Sequence, residues 1–328
     1  MAVVTDLAAA DESQLEDIEQ YRVELTGYCY RMLGSAFEAE DAVQDTMVRA
    51  WKSFDRFEGR SSLRSWLYRI ATNVCLDMLN GRQRRARPMD LGPPQSADSF
   101  LGDGLSEATW LQPMPDGRVL RAEDDPAELS AERETIRLAF VAALQHLPPR
   151  QRSVLILREV LRWQATEVAE LLDTTVASVN SALQRARATL EASDIAATDP
   201  IESMDDEQQA LLARYVDAFE RYDMDSLTDL LRKDATWNMP PFALWLRGHT
   251  DIVAWCLGQG AACRGSRLVP TIANGAPAFG QYKPSGPDGA YEPWSLQVLD
   301  ISEGEITGVT FFLDTETLFP LFGLPLQP

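Results

Sequence analysis

Apolar positions along the chain fall into three patterned stretches separated by two unpatterned ones. In the first, residues 20–88, Val43, Met47, Trp51 and Phe54 recur at helical spacing, as do Leu63, Trp66, Leu67, Ile70, Val74 and Met78. Between these two helices lies Phe57-Glu58-Gly59-Arg60-Ser61-Ser62, with a glycine for a turn and serines able to cap the second helix. The stretch closes on the basic run Arg82, Arg84, Arg85 and Arg87, ahead of Pro88, which stops a helix. From 89 to 131 the periodicity vanishes and Pro, Gly, Ser and Asp accumulate. That is too long for a loop inside a compact domain, so it reads as an interdomain linker.

Helical spacing returns over 132–192. Leu138, Val141, Ala142 and Leu144 lead into Leu147-Pro148-Pro149, which ends one helix and can start the next. Thr166 to Leu172 and Val176 to Leu190 then form two helices joined by Asp173-Thr174-Thr175, the spacing of a helix-turn-helix. A short linker, 193–203, precedes the last stretch, 204–328. This opens with an amphipathic helix carrying Leu212, Tyr215, Val216, Phe219 and Tyr222, and a second helix, Ser226 to Leu231, follows. Strand-like runs come next: Ala235–Met239, Phe242–Leu246, Leu268–Ala273, Ala276–Tyr282, Trp294–Ile301 and Ile306–Leu313. Ser302-Glu303-Gly304-Glu305 makes a hairpin of the last two. The expected fold is multidomain: two all-α domains, a helical bundle and a helix-turn-helix, followed by an α+β cone with a curved antiparallel sheet.

The net charge of −20 over 328 residues argues against nucleic-acid binding by the whole surface, yet it is unevenly spread. Counted along the chain it is −6 over the acidic tail 1–19, +4 over 20–88, −7 over 89–131 and +1 over 132–192; 193–203 adds −3 and 204–328 adds −9. Two blocks are thus free to approach phosphate. The tail lacks a secretion signal, no apolar run reaches the ~20 residues of a membrane span, and the cysteines Cys29, Cys75, Cys256 and Cys263 show no metal-ligand spacing. A cytoplasmic protein without a metal or cofactor is expected.

The second helix of the helix-turn-helix is two-faced. Val176, Val179, Leu183, Ala186 and Leu190 share an apolar back, while Asn180, Ser181, Gln184, Arg185 and Arg187 form a front that can read base edges and phosphates in a major groove. A helical hairpin with a solvated polar face would show the same pattern.

Two blocks of motif narrow this choice. Asp41-Ala42-Val43-Gln44-Asp45, Ala50-Trp51, Phe54, Phe57, Gly59, Trp66-Leu67 and Arg69-Ile70-Ala71-Thr72-Asn73 resemble the second conserved region of sigma-70 factors, the extracytoplasmic-function (ECF) group above all. Leu147-Pro148-Pro149-Arg150-Gln151-Arg152, Arg158-Glu159, Glu167-Val168-Ala169 and Val179 to Arg187 resemble the fourth. Residues 204–328 resemble the SnoaL-like branch of the nuclear-transport-factor-2-like superfamily. The resemblance implies a subunit that carries core RNA polymerase to promoters. Asp41, Gln44, Asp45 and Arg49 would dock on the β′ clamp helices, and the fourth region would meet the β flap. Phe57, Arg60, Ser61, Ser62 and Asn73 would capture a base flipped from the −10 element, with Arg82, Arg84, Arg85 and Arg87 following the DNA backbone. The helix bearing Asn180 would read the −35 element. Asp173 stands where glycine is frequent in this turn, and Asn180 and Ala182 stand where Lys and Arg are common. The linker 89–131 would thread the polymerase channel or serve as a flexible tether.

The last domain is expected to regulate by contact with the sigma domains rather than to catalyse. Trp237, Met239, Trp245, His249 and Phe279 are candidates for a ligand pocket, or are plain core. His249 lies at a helix start where Thr250 and Asp251 have capping roles, and no buried acid–base pair is apparent. Two readings compete with the sigma factor: an operator-binding helix-turn-helix regulator with a ligand-sensing domain, and an isomerase- or cyclase-type enzyme. The first needs neither a polymerase-docking face nor a flipped-base pocket, and the second leaves the first 190 residues unexplained.

Overall fold

The structure, a computed structural model, describes residues 16–59, 61–120, 126–192 and 206–328. Most of the acidic tail, Arg60 and the short linker at 193–203 therefore lie outside the described residues. The chain divides into two compact units, 1–85 with 111–195, and 86–110 with 196–328.

The first unit is all helical. Helix α1 (Arg22–Leu33) turns Leu25, Cys29 and Met32 inward and ends at Gly34, whose φ of 71° is a left-handed cap donating to Tyr30 O. Helix α2 (Ala36–Ser53) starts from Ser35, whose hydroxyl accepts from the Glu38 N–H. Its buried stripe, Ala36, Ala39, Ala42, Val43, Thr46 and Ala50, is mostly small and lets the helices approach closely. Helix α3 (Leu63–Leu79) is capped by Ser62, as the sequence suggested, and buries Leu67, Ala71, Val74 and Cys75. Tyr28 Oη meets Thr72 Oγ1 at 2.8 Å across the α1–α3 contact.

Helices α4 (Pro126–Ile136), α5 (Leu138–Gln145), α6 (Pro149–Leu155), α7 (Ala165–Leu171) and α8 (Val176–Glu191) follow, with a π-helical turn at Ile156–Val160. Pro148-Pro149 ends one helix and opens the next, with Pro149 in the first turn of α6. These helices pack on the first three in the same unit. The Tyr68 and Trp163 rings lie 5.0 Å apart, and Arg69 Nη2 donates to Glu170 O at 2.8 Å.

In the second unit, α9 (Asp206–Arg221) and α10 (Met224–Thr228) cover one face of a six-stranded sheet. The strands are β1 (Leu231–Asn238), β2 (Trp245–Arg247), β3 (Arg267–Ala273), β4 (Ala276–Lys283), β5 (Glu292–Ser302) and β6 (Glu305–Phe312), in the order β2-β1-β6-β5-β4-β3. Helix α11 (His249–Leu257) follows β2, and α12 (Thr315–Leu321) ends the unit. The hairpin turn forms where expected, with Ser302 opposite Glu305 and φ of 53° and 75° at Glu303 and Gly304. Two expectations fail here. The sheet is mixed, because β1 pairs with β6 in parallel, and the run from Phe242 becomes strand only at Trp245.

The stretch 89–131 departs most from its reading as a linker. Residues 86–110 belong to the second unit. Gln95 N–H donates to Trp245 O, Trp245 Nε1 to Gly92 O, and Leu105 N–H to Pro241 O, all at 2.8–2.9 Å. The Ala97 N–H bonds Asp251 Oδ1 at 3.1 Å, and Ala97 joins the hydrophobic core. Residues 111–120 return to the first unit, where Leu111, Met114 and Val119 are buried and the Gln112 N–H donates to Gly34 O at 3.0 Å. An extended ribbon shows no periodicity. Its prolines carry no donor that needs a partner, and the few apolar residues that anchor it are scattered.

Candidate nucleic-acid interface

Helix α8 is held by Thr175, whose hydroxyl accepts from the Ser178 N–H at 3.2 Å. Val179, Leu183 and Ala186 are buried, while Asn180, Ser181, Gln184, Arg185 and Arg187 are all exposed. Arg185 Nη1 donates to Ser181 Oγ at 2.7 Å, and Arg187 pairs with Glu159. Val176 is 38% exposed, so the apolar back begins one turn later than its spacing suggested. The turn before α8 has φ of 49° at Asp173, the left-handed conformation glycine would supply at less cost. An open cleft of about 630 Å³ beside this turn is lined by Arg69, Thr166, Glu167, Glu170, Asp173 and Thr174.

In the α2–α3 block, Asp41, Gln44 and Arg49 are exposed and Asp45 is half-buried, bonded to Arg49 at 2.8 Å. Two apolar neighbours stand out on this face: Val48 is 41% and Trp51 45% exposed. Helical spacing had placed Trp51 among the core positions. It sits instead at the α2 terminus, beyond Ala50, the last buried residue of that helix.

The loop ahead of α3 presents Ser61 to solvent and α3 itself presents Asn73, whereas Ser62 Oγ is engaged as the α3 cap. Phe57 is half-buried with its ring 5.0 Å from Trp66 and 6.3 Å from Phe54, in a surface aromatic cluster. The basic run departs from its helix-end reading, since α3 stops at Leu79. Each arginine in it has an intramolecular partner. Arg82 and Arg85 share Glu38, Arg84 meets His146, and Arg87 meets Asp90. Arg85 is 7% exposed, turned inward rather than along a surface track.

Two buried arginines, to which the sequence reading gave no role of their own, hold the helices of the first unit together. Arg31 Nη2 donates to Thr135 Oγ1 at 2.6 Å, and Arg152 donates to Met32 O and to Gln145 and Leu147 carbonyls. Burial lowers both guanidinium pKa values to about 10. Nothing in an isolated sequence distinguishes these from surface arginines, because Thr135 for Arg31 and Met32 for Arg152 lie over a hundred residues away in the chain.

In the second unit the five pocket candidates are dispersed. Trp237 stacks on Phe311 at 4.6 Å and Phe279 on Tyr215 at 5.8 Å, both in the core, with Met239 packed against it. Trp245 is spent on Gly92, and His249 Nε2 faces the carbonyls of Leu231 and Arg232 at 3.0 and 3.1 Å. Thr250 and Asp251 do not cap α11, which starts from Gly248 without a side-chain cap. Among the described residues no group of three or more His, Cys, Asp or Glu gathers as for a metal ion, and no helix is long and apolar enough to cross a membrane.

A helix-turn-helix with a buried back and an open reading face, joined in one unit to a three-helix block, defines a two-region promoter-recognition factor. Comparison with known proteins agrees. Residues 18–85 match sigma-70 region 2 and residues 137–190 match sigma-70 region 4. The ECF RNA polymerase sigma factor SigG of Mycobacterium tuberculosis is 48% identical over 310 residues, 94% of this chain and 82% of that protein. SigW of Bacillus subtilis is 27% identical over 57% of this chain and 92% of its own length. The crystal structure of M. tuberculosis SigJ shares the fold, with a TM-score of 0.59 and 22% identity over 95% of this chain and 99% of that one. The chain belongs to the ECF RNA polymerase sigma factors. Its function is promoter-directed transcription initiation, and sigma factors bind core RNA polymerase and promoter DNA.

Proposed function

We propose that this sigma factor reads the −35 element with α8 and opens the −10 element with the surface around Ser61 and Asn73. The exposed row Asn180, Ser181, Gln184, Arg185 and Arg187 over the buried Val179, Leu183 and Ala186 carries this reading. Asn and Gln match adenine, arginine matches guanine, and the remaining groups hold phosphate. Docking on the polymerase β′ clamp uses Asp41, Gln44, Asp45 and Arg49, to which the exposed Val48 and Trp51 add apolar area. The fourth region meets the β flap. The protein works in the cytoplasm, beside its polymerase.

The C-terminal domain regulates and does not catalyse. His249, its only histidine, is tied to two backbone carbonyls, so it is not a poised base. What the domain holds instead is the segment 86–110, part of the connection between regions 2 and 4. A connection that must enter the polymerase channel has to leave Trp245, Asp251 and Pro241 first, so the domain sets how readily it is released.

Run-off transcription with core polymerase and a pool of genomic promoter fragments tests this. Specific transcripts are expected from the full chain. Arg185→Ala and Arg187→Ala should each weaken promoter binding by about 1–3 kcal/mol where they read a base. Wild-type promoter binding by both variants would overturn the assignment of α8, and no transcript from intact protein with active core would overturn the initiation role.

A further inference from the structure

One corner of the second unit pairs three cations with three aromatic rings. The Arg264 guanidinium lies 5.0 Å from the Tyr222 ring centroid, Arg267 lies 4.4 Å from Tyr291, and the Lys283 ammonium lies 3.5 Å from Trp294. Sheet register brings them together. Arg267 pairs with Tyr282, Tyr282 with Pro293, and Lys283 with Glu292, so the start of β3, the end of β4 and the start of β5 share one edge.

Contacts of this kind occur about once per 70–80 residues, so about two are ordinary for a unit of this size; what sets these three apart is that they gather at one corner. The surrounding domain is acidic, at −9 over residues 204–328 with only eight cations. Solubility alone does not require three of those eight to cluster.

The rings are fixed in place. Tyr222 Oη donates to Cys256 O and Gly260 O at 2.6 and 2.9 Å, and Tyr291 Oη donates to Gly265 O at 3.2 Å. Arg264 and Arg267 are exposed and held against these rings, so little side-chain freedom remains to be lost on binding. Of the carboxylates nearby, Glu220 accepts from the Leu268 N–H and Glu292 from Ser285 Oγ, each at 2.9 Å, while Asp288 stands exposed in the β4–β5 turn. Trp294 keeps 39% of its surface open.

Exposed cations beside the partly open Trp294 ring match a ligand that alternates anions with flat rings. We propose that this corner binds single-stranded nucleic acid, with Arg264 and Arg267 on phosphates and Trp294 stacking an unpaired base. A duplex keeps its base faces inside the stack, so it offers phosphates but nothing for Trp294. This contact lies outside the −10 and −35 readings and does not depend on them.

The test is photo-cross-linking of the full chain to a bromouridine-substituted 12-mer, as deoxy and ribo versions, with adducts mapped by mass spectrometry. Affinity is measured in parallel by anisotropy at several salt concentrations. Adducts on the peptide holding Tyr291 and Trp294 are expected. The double variant R264E/R267E should bind about tenfold more weakly and lower the salt slope by about 1.4, two single-strand phosphates' worth. K233E, at an exposed cation elsewhere in the domain, should bind as wild type. The deoxy and ribo arms decide whether an opened promoter strand or a transcript is the preferred occupant. Adducts confined to residues 16–192, with R264E/R267E folded by circular dichroism and binding like wild type, would overturn the proposal.

Discussion

Gly34 shows how much one position carries. It ends α1 with φ of 71°, accepts from the Gln112 N–H, and a Cβ there would stand 2.7 Å from Leu111 Cδ2 and 3.2 Å from Gln145 Cδ. Backbone strain and overpacking therefore add. Gly34→Ala should cost about 2–4 kcal/mol in urea denaturation. Asp173, at φ of 49°, is exposed in its turn. There Asp173→Gly should be close to neutral while Asp173→Val loses about 1–2 kcal/mol. Arg152 is a different case. Its folded pKa of about 10 lies below that of the free group, so its linkage raises stability only as pH climbs above about 10. Below that window it is charged in both states and contributes no pH dependence. Arg152→Met orphans the carbonyls of Met32, Gln145 and Leu147, and should cost about 3 kcal/mol at neutral pH.

At the scale of elements, capping and two-sided burial decide what forms. Thr175→Ala removes the α8 cap and should cost about 1 kcal/mol, read by thermal melting. Strand β4 is buried along its whole length. Its outer face is closed by the chain end, where Leu324 comes within 2.9 Å of a Cβ on Gly280 and Tyr282 Oη donates to Pro325 O at 2.6 Å. Most helices and five of the strands were legible in the sequence, because their periodicity and their Ser, Thr and Pro punctuation are local signals. The parallel β1–β6 pairing was not, since register depends on a partner some seventy residues away. The fate of Arg82 to Arg87 was hidden for the same reason: Glu38 and His146 are remote in sequence. For the recognition face, the polar row of α8 was legible outright. On α2 the outward turn of Trp51 was not, because the residue falls between two faces of the helix.

At the scale of the molecule, regions 2 and 4 are in direct contact within one unit. The Tyr68 and Trp163 rings touch, and Arg69 bonds the end of α7. Regions that read two separated DNA elements have to part for that task. Trp163→Ala should weaken the packed arrangement by about 3–5 kcal/mol and raise the free chain's affinity for a promoter fragment in an anisotropy titration. Unchanged or lower affinity would refute that coupling. Asp251→Ala removes the carboxylate that holds Ala97, and should increase proteolytic cutting between residues 86 and 110 while leaving sites in the first unit unaffected.

The unit boundaries at 85/86, 110/111 and 195/196 mean that the polypeptide passes between the two units three times. The C-terminal domain is therefore not a detachable appendix. A chain cut near residue 203 would leave Ala97 and Leu101 without the core they pack into, so it compares two differently folded proteins rather than one with and without a tail. End-to-end fusion of residues 196–328 onto a two-region sigma factor would not reproduce this molecule, because residues 86–110 belong to the same unit. A chimera that exchanges the domain between relatives has to carry that internal segment as part of the graft.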